Sequence, residues 1–477
     1  MENKTILICL EKLEVGGVET SVYNQALAFK RKGYNVIVLA KNGIYTEKLN
    51  THGIICIDFE FELKNEIDIN GTKQIIEIIK KYDVSQIHIH QFPCLLNAFI
   101  ASIITKKPYI AFVHSRLTEV YDWYILNFPL YKRLFKFYFD NAYKIITINY
   151  GSIELNAKYF NISKDKYSVL KNSIYFEEYT PNTQVKEVKN FMIISRIAPE
   201  KIVSIQNGIN FFIKYANAND NFNGKLAIYG DGNEQSITAI KKYIQENNIN
   251  NYNIFFAGGT NEVSKEMEKY DVVIGMGRCI IEAIATKRIA IITSPEEIKF
   301  LVDKNNIYNS IEANFASNDL ESKKMDDIIL QLKKLDLDKI KEITEENFNI
   351  ALEELDILKN VYFIEDFLPD ENAEIKILEL NNIQIETLKE HEQENIQKYN
   401  MLLEELKNQR EIIDKITDYK TQEYNNIIQE IEELKYTVKK QEKKNEELFK
   451  ELSSIYNSKR FKLINNLVNI FTRKRLK

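Results

Sequence analysis

Residues 271–285 read DVVIGMGRCIIEAIA. An unbroken apolar run, Val272 to Ile274, suits a strand buried on both faces. Gly275 and Gly277 follow, and then apolar residues at helical spacing carry Glu282. The unit is a strand, a glycine turn and a helix. Glycines at such a turn free the backbone at a helix N-terminus, where a phosphate can sit. Glu282 falls one to two turns into the helix, where its carboxylate can accept bonds from ribose hydroxyls with the phosphates above.

The same pattern recurs outward from this point. Residues 226–232 read LAIYGDG, a strand running into Gly230. Residues 5–20 read TILICLEKLEVGGVET, a strand followed by Gly16 and Gly17 and then a helix, so backbone amides there can approach a ligand closely. No GxGxxG appears and no acidic residue stands at dinucleotide spacing, which argues against NAD. Residues 195–201 read SRIAPEK, a basic loop leaving a strand. Arg196 and Lys201, five apart, can both reach one anionic group. A departing diphosphate needs such cations, and no metal is implied.

Apolar runs of four to six residues alternate with helical segments through the first ~365 residues. Strands are expected at 5–10, 35–40, 86–90, 109–113 and 144–148. After a polar stretch at 180–189 they resume at 191–195, 225–229, 253–257, 271–274 and 289–293. The pattern predicts an α/β chain of two doubly wound Rossmann-like domains facing a cleft, followed by a long α-helical coiled coil. The boundaries are 1–183 for an acceptor domain, 184–345 for a nucleotide-sugar donor domain, and 346–369 for a closing helix and linker. A coiled coil at 370–457 and a basic amphipathic tail at 458–477 complete the chain. Glycine is absent after Gly277 and proline after Pro369, so nothing in the last segment stops a helix. From Ile427 to Ile455, residues at steps of four and three make an a/d seam, with Gln441 and Asn445 inside it and a shift or kink expected near 420–424. The seam predicts a homo-oligomer. The tail carries seven basic residues and no acid between apolar ones, a composition suited to an anionic membrane surface.

The remaining bulk features exclude more than they specify. A net charge of −5 gives no global pull toward nucleic acid. The cysteines Cys9, Cys56, Cys94 and Cys279 form no CxxC pair, which places the chain in a reducing cytoplasm. Met1 to Leu13 reads as a strand, not a signal peptide. His88 and His90 share one side of a strand, but a metal site would need further ligands, so they read as structural. The aromatic stretch 121–138 reads as a core helix plus surface loop, with contact to a lipid-linked acceptor as the alternative.

Taken in order, GGVET, His114-Ser115-Arg116 after a strand, Leu170-Lys171-Asn172-Ser173, SRIAPEK, LAIYGDG and GMGRCIIEAIA resemble the family 4 glycosyltransferases of the GT-B fold, over residues 5 to ~365. The resemblance implies a retaining, metal-independent transfer from a nucleotide-diphosphate sugar, often UDP-linked, to a cell-envelope glycan or lipid-linked acceptor. No cofactor is implied beyond that co-substrate. It implies diphosphate binding by Arg196 and Lys201, ribose binding by Glu282 and an active-site role for His114. Gly17 falls where backbone amides meet the donor phosphates.

Three departures stand out. Ile274 replaces a glutamate that usually contacts the donor sugar. Lys287 and Ile289 replace a glycine and a proline, which predicts the loss of a left-handed helix stop. Ser173 stands where glycine is usual. Two alternatives stay open: a non-catalytic assembly protein tethered by its coiled coil and tail, and a sugar-nucleotide epimerase.

Overall fold

The computed structural model describes residues 4–14, 16–61, 68–90, 95–114, 129–179, 181, 183–247, 252–260, 262–316, 320–362, 364, 373–416 and 421–457. Cys94, Ser115, Arg116, the aromatic stretch from 121 to 128 and the basic tail lie outside them.

Thirteen described strands form two sheets. The first holds β1 (Thr5–Lys12), β2 (Asn35–Lys41), β3 (Ile55–Asp58), β4 (Val84–His90), β5 (Tyr109–Val113), β6 (Lys144–Thr147) and β7 (Tyr167–Val169), in the order β3-β2-β1-β4-β5-β6-β7. All its pairings are parallel. The second holds β8 (Phe191–Ile194), β9 (Lys225–Tyr229), β10 (Asn253–Gly258), β11 (Val272–Gly275), β12 (Ile289–Thr293) and β13 (Ile298–Leu301), in the order β10-β9-β8-β11-β12-β13. Only β13 runs antiparallel, as an edge strand on β12. β2, β5, β8 and β11 are apolar almost throughout because helices cover both faces, whereas β4 buries Gln86, His88 and His90. In β1, Ile6, Leu7, Ile8, Cys9 and Leu10 are all fully buried.

Sequence periodicity locates ten of these strands within a residue or two. It misses β3, β7 and β13, which hold only three or four residues. All three lie at a sheet edge.

The helix Leu337–Leu355 packs on the core of the second sheet, and the chain then returns to the first. Asp356 bridges Ile174, and Ile357 and Ile364 are buried in the core beneath β1 and β2. The Ile364 N–H donates to Gln86 Oε1 at 3.0 Å. Both sheets and this strap belong to one compact unit.

The second unit contains the helices Ala373–Ile416 and Thr421–Asn457. As one straight helix, Tyr399 and Glu442 would stand roughly 65 Å apart at ~1.5 Å per residue. Instead the Tyr399 hydroxyl donates to Glu442 at 2.6 Å, so the chain reverses and the helices form a hairpin. The expected kink is therefore a full reversal. Of the seam residues, Leu434 and Leu448 remain 37% and 43% exposed. Within this unit Arg133 donates to Glu386 at 2.6 Å and also to Glu390.

One departure needs correction. The helix Arg278–Ala285 does keep its left-handed stop, because Lys287 adopts φ +53°. Its ammonium lies 2.8 Å from both oxygens of Glu345 and sits over the Phe348 ring. The side chain supplies the hold that glycine's freedom would otherwise replace.

Candidate active site

Open parallel sheets bind ligands beyond the carboxyl ends of their strands, where strand order reverses. The first sheet reverses between β1 and β4, the second between β8 and β11. The predicted site residues follow these strands or their neighbours.

After β1, Gly16 is extended and caps the helix Gly17–Arg31. Its carbonyl accepts from the Thr20 N–H at 2.9 Å and from the Thr20 hydroxyl at 2.7 Å. A Cβ on Gly17 would meet nothing within 4 Å, so the helix is open at that residue, whereas the Glu19 side chain lies over Gly16. The Thr20 hydroxyl also lies 2.8 Å from that of Tyr45.

His114 directly follows β5 and is half-buried. Its Nε2 lies 2.8 Å from Nδ1 of His90, the last residue of β4. His90 is fully buried and stacks on Phe112 with ring centroids 3.9 Å apart. Burial, and then the cation of Arg278, push His114 down to about 4, so it is neutral at pH 7. Burial likewise holds His90 far below the ordinary value and His88 at about 3.

The second sheet supplies charge. Arg196 leaves β8 and donates to Glu200. Lys201 extends to the turn after β11, with Nζ 3.0 Å from Met276 Sδ. Gly230 shapes this loop from below: at φ +155°, a Cβ would stand 1.9 Å from the Ser195 carbonyl. Here the missing side chain serves the chain's own crossing and not an open ligand face. Gly275 lets Cys279 fold back over it, since a Cβ would meet Sγ at 2.4 Å. Gly277 takes φ +68° and ψ −135°, and its N–H bonds the Phe315 carbonyl at 2.9 Å. Glu282, only 8% exposed, accepts from the Tyr179 hydroxyl at 3.3 Å. Burial raises its pKa, while Arg278 and the tyrosine oppose the rise.

These parts meet through Arg278. Its Nη1 donates to the Ser173 carbonyl at 3.4 Å, and its charge acts on His114, Glu282 and Tyr45. Nη2 is buried with no partner among the described residues. Sequence reasoning assigned Arg278 no role, although a signal was present. A cation at the first residue of a helix opposes the helix dipole and is out of place unless it meets an anion. Ile274, by contrast, is fully buried and turned into the core under the helix Ile202–Asn217, within reach of Gly208. A carboxylate there would be desolvated without a partner.

Residues 15–178 match the family model described as Glycosyltransferase Family 4. The match spans about a third of the chain and likens its N-terminal part to that family. Solved structures extend the likeness, as a GT-B fold, across both sheets. A glycosyltransferase from Rickettsia africae superposes with TM-score 0.55 at 17% identity, over 75% of this chain and 97% of that one. Anabaena Alr3699/HepE in complex with UDP-glucose gives 0.55 at 16% identity, over 81% and 99%. A sucrose-phosphate synthase from Thermosynechococcus elongatus gives 0.51 at 13%, over 75% and 96%. No curated protein matches the sequence significantly. In this GT-B chain no described helix is long and apolar enough to cross a membrane.

Proposed function

We propose that the chain is a retaining, metal-independent glycosyltransferase. It moves a sugar from a UDP-linked donor to a cell-envelope glycan or lipid-linked acceptor, with no resident cofactor, at the cytoplasmic face of the membrane. The observation that carries this reading is the meeting of cations and one buried carboxylate after β8 and β11 with a neutral histidine after β5.

A diphosphate set against the turn at Gly275 and Gly277 would lie beside Lys201, with Arg196 turning from Glu200 to join it. These cations stabilise negative charge as the glycosidic bond to the diphosphate breaks. Glu282, held by Tyr179, accepts the ribose hydroxyls. His114 donates a hydrogen bond to the sugar or acceptor. Arg278, with one N–H group unpaired, adds charge between leaving group and sugar. The UDP bound to Anabaena HepE supports the nucleotide class. The helical hairpin and the basic tail supply the surfaces for self-association and for an anionic leaflet.

Calorimetric titration of UDP, GDP, ADP and their sugars into wild type and Glu282→Ala tests this reading. UDP compounds should bind, roughly 10-fold or more weaker in the variant, as expected for a lost hydrogen bond to a charged group. If no nucleotide binds the wild type, the reading fails and the assembly role replaces it.

A further inference from the structure

His90 has a role that the strand pattern alone does not show. Its Nδ1 lies 2.8 Å from His114 Nε2, and its own Nε2 is buried with no partner among the described residues. Its ring is clamped against Phe112 at an interplanar angle of 12°, so it cannot turn to seek another partner. Both rings are neutral, and one proton lies between them. If His114 gave that proton, His90 would carry its hydrogen on Nε2, leaving a buried N–H unsatisfied. If His90 gives it, the orphan is only a bare ring nitrogen. A buried N–H without a partner is rarer in folded proteins than an under-used acceptor, which favours the second arrangement. His88 offers no such choice, since both of its ring nitrogens lack partners among the described residues.

We propose that His90 is a positioning residue that fixes the tautomer of His114. His90 Nδ1–H donates to His114 Nε2, so the hydrogen of His114 resides on Nδ1. His114 then meets the substrate as a hydrogen-bond donor and is unable to act as a base through that nitrogen. This rests on the reading of His114 as a cleft residue that touches the sugar or acceptor. Ring tautomers follow from the hydrogen-bond network, and here only one of the two forms avoids a buried N–H without a partner.

The chain has only five histidines, so nitrogen NMR of the full-length protein labelled at histidine can resolve each ring. Wild type should show the Nδ1–H form at His114. In His90→Phe the Nε2–H form should appear, and turnover should fall about 10-fold with donor KM unchanged. His90→Asn retains an N–H near the Nδ1 position and should keep the wild-type tautomer and most of the turnover. An Nε2–H signal at His114 in wild type overturns the proposal, as does an unchanged tautomer in His90→Phe. If His90→Phe does not fold, the wild-type spectrum and His90→Asn decide. Absence of UDP binding in wild type would sink the donor reading, and the spectrum would still decide the tautomer.

Discussion

The two sheets share a topology, yet the chemistry at their switch points is opposite. After β4 and β5 the first sheet presents buried neutral rings, with His90 and Phe112 stacked beneath His114. After β8 and β11 the second presents Arg196, Lys201, Arg278 and Glu282. A neutral, water-poor wall can donate to uncharged hydroxyls without pulling on the diphosphate. A charged wall can hold the diphosphate and ribose but would compete poorly for hydroxyls in water. The fold supplies position, and the side chains after each strand decide which half of the substrate that position serves.

Acid should break the first half of this contrast. An unfolded histidine titrates near ~6.5. His88 at about 3 and His114 at about 4 bind fewer protons when folded, and His90 shares that direction. Below pH 6.5 the unfolded state therefore holds more protons, and stability falls as pH falls. At pH 5 the loss is on the order of 2 kcal/mol per histidine. Glu282, with its raised pKa, works in the opposite direction. Urea melts at pH 7 and pH 5 should show a clear drop, reduced by about a third in His88→Leu. Equal stability at both pH values would mean that these rings are not buried and neutral.

Lys201→Ala should break the second half. Turnover should fall ~100-fold or more if the ammonium meets charge in the transition state, about 2.7 kcal/mol. Melting should hardly change, because the Lys201 ammonium lies against a methionine sulfur and makes no ion pair among the described residues. Retained turnover would remove Lys201 from the diphosphate site. Gly230→Ala acts on the same loop from below. With a positive φ and a carbonyl 1.9 Å from the new methyl, it should cost about 1–3 kcal/mol in urea melts and weaken UDP binding as well. Wild-type stability would show that the loop moves freely.

How much of this was legible depended on how local each cause is. A buried parallel strand announces itself within five residues, as at residues 5–10 and 109–113. A glycine turn before a helix does so within three. The proximity of His90 to His114 does not, because it arises from β4 and β5 lying side by side, 24 residues apart in the chain. Arg278 carried its signal in plain view, as a cation opposing a helix dipole, but its neighbours Ser173 and His114 come from distant segments. Ile274 reads as a lost carboxylate in one dimension and as a core residue in three. The hairpin of the last two helices was hidden because a heptad seam is satisfied equally by another copy or by the same chain folded back.

Lys287 offers the finest test, because here a side chain performs what glycine usually does by having none. The helix bearing Glu282 ends in a left-handed residue whose strain for an L side chain is about 1–2 kcal/mol. The Glu345 ion pair and the Phe348 ring offset part of that strain. Lys287→Gly removes both strain and contacts, so melts should move by less than ~1 kcal/mol. Lys287→Ala keeps the strain and loses the contacts, so it should be less stable than the glycine variant by about 1 kcal/mol. Were alanine to equal glycine, the turn would have relaxed out of the left-handed region. UDP affinity should then change along with stability, since this turn ends the helix that carries Glu282.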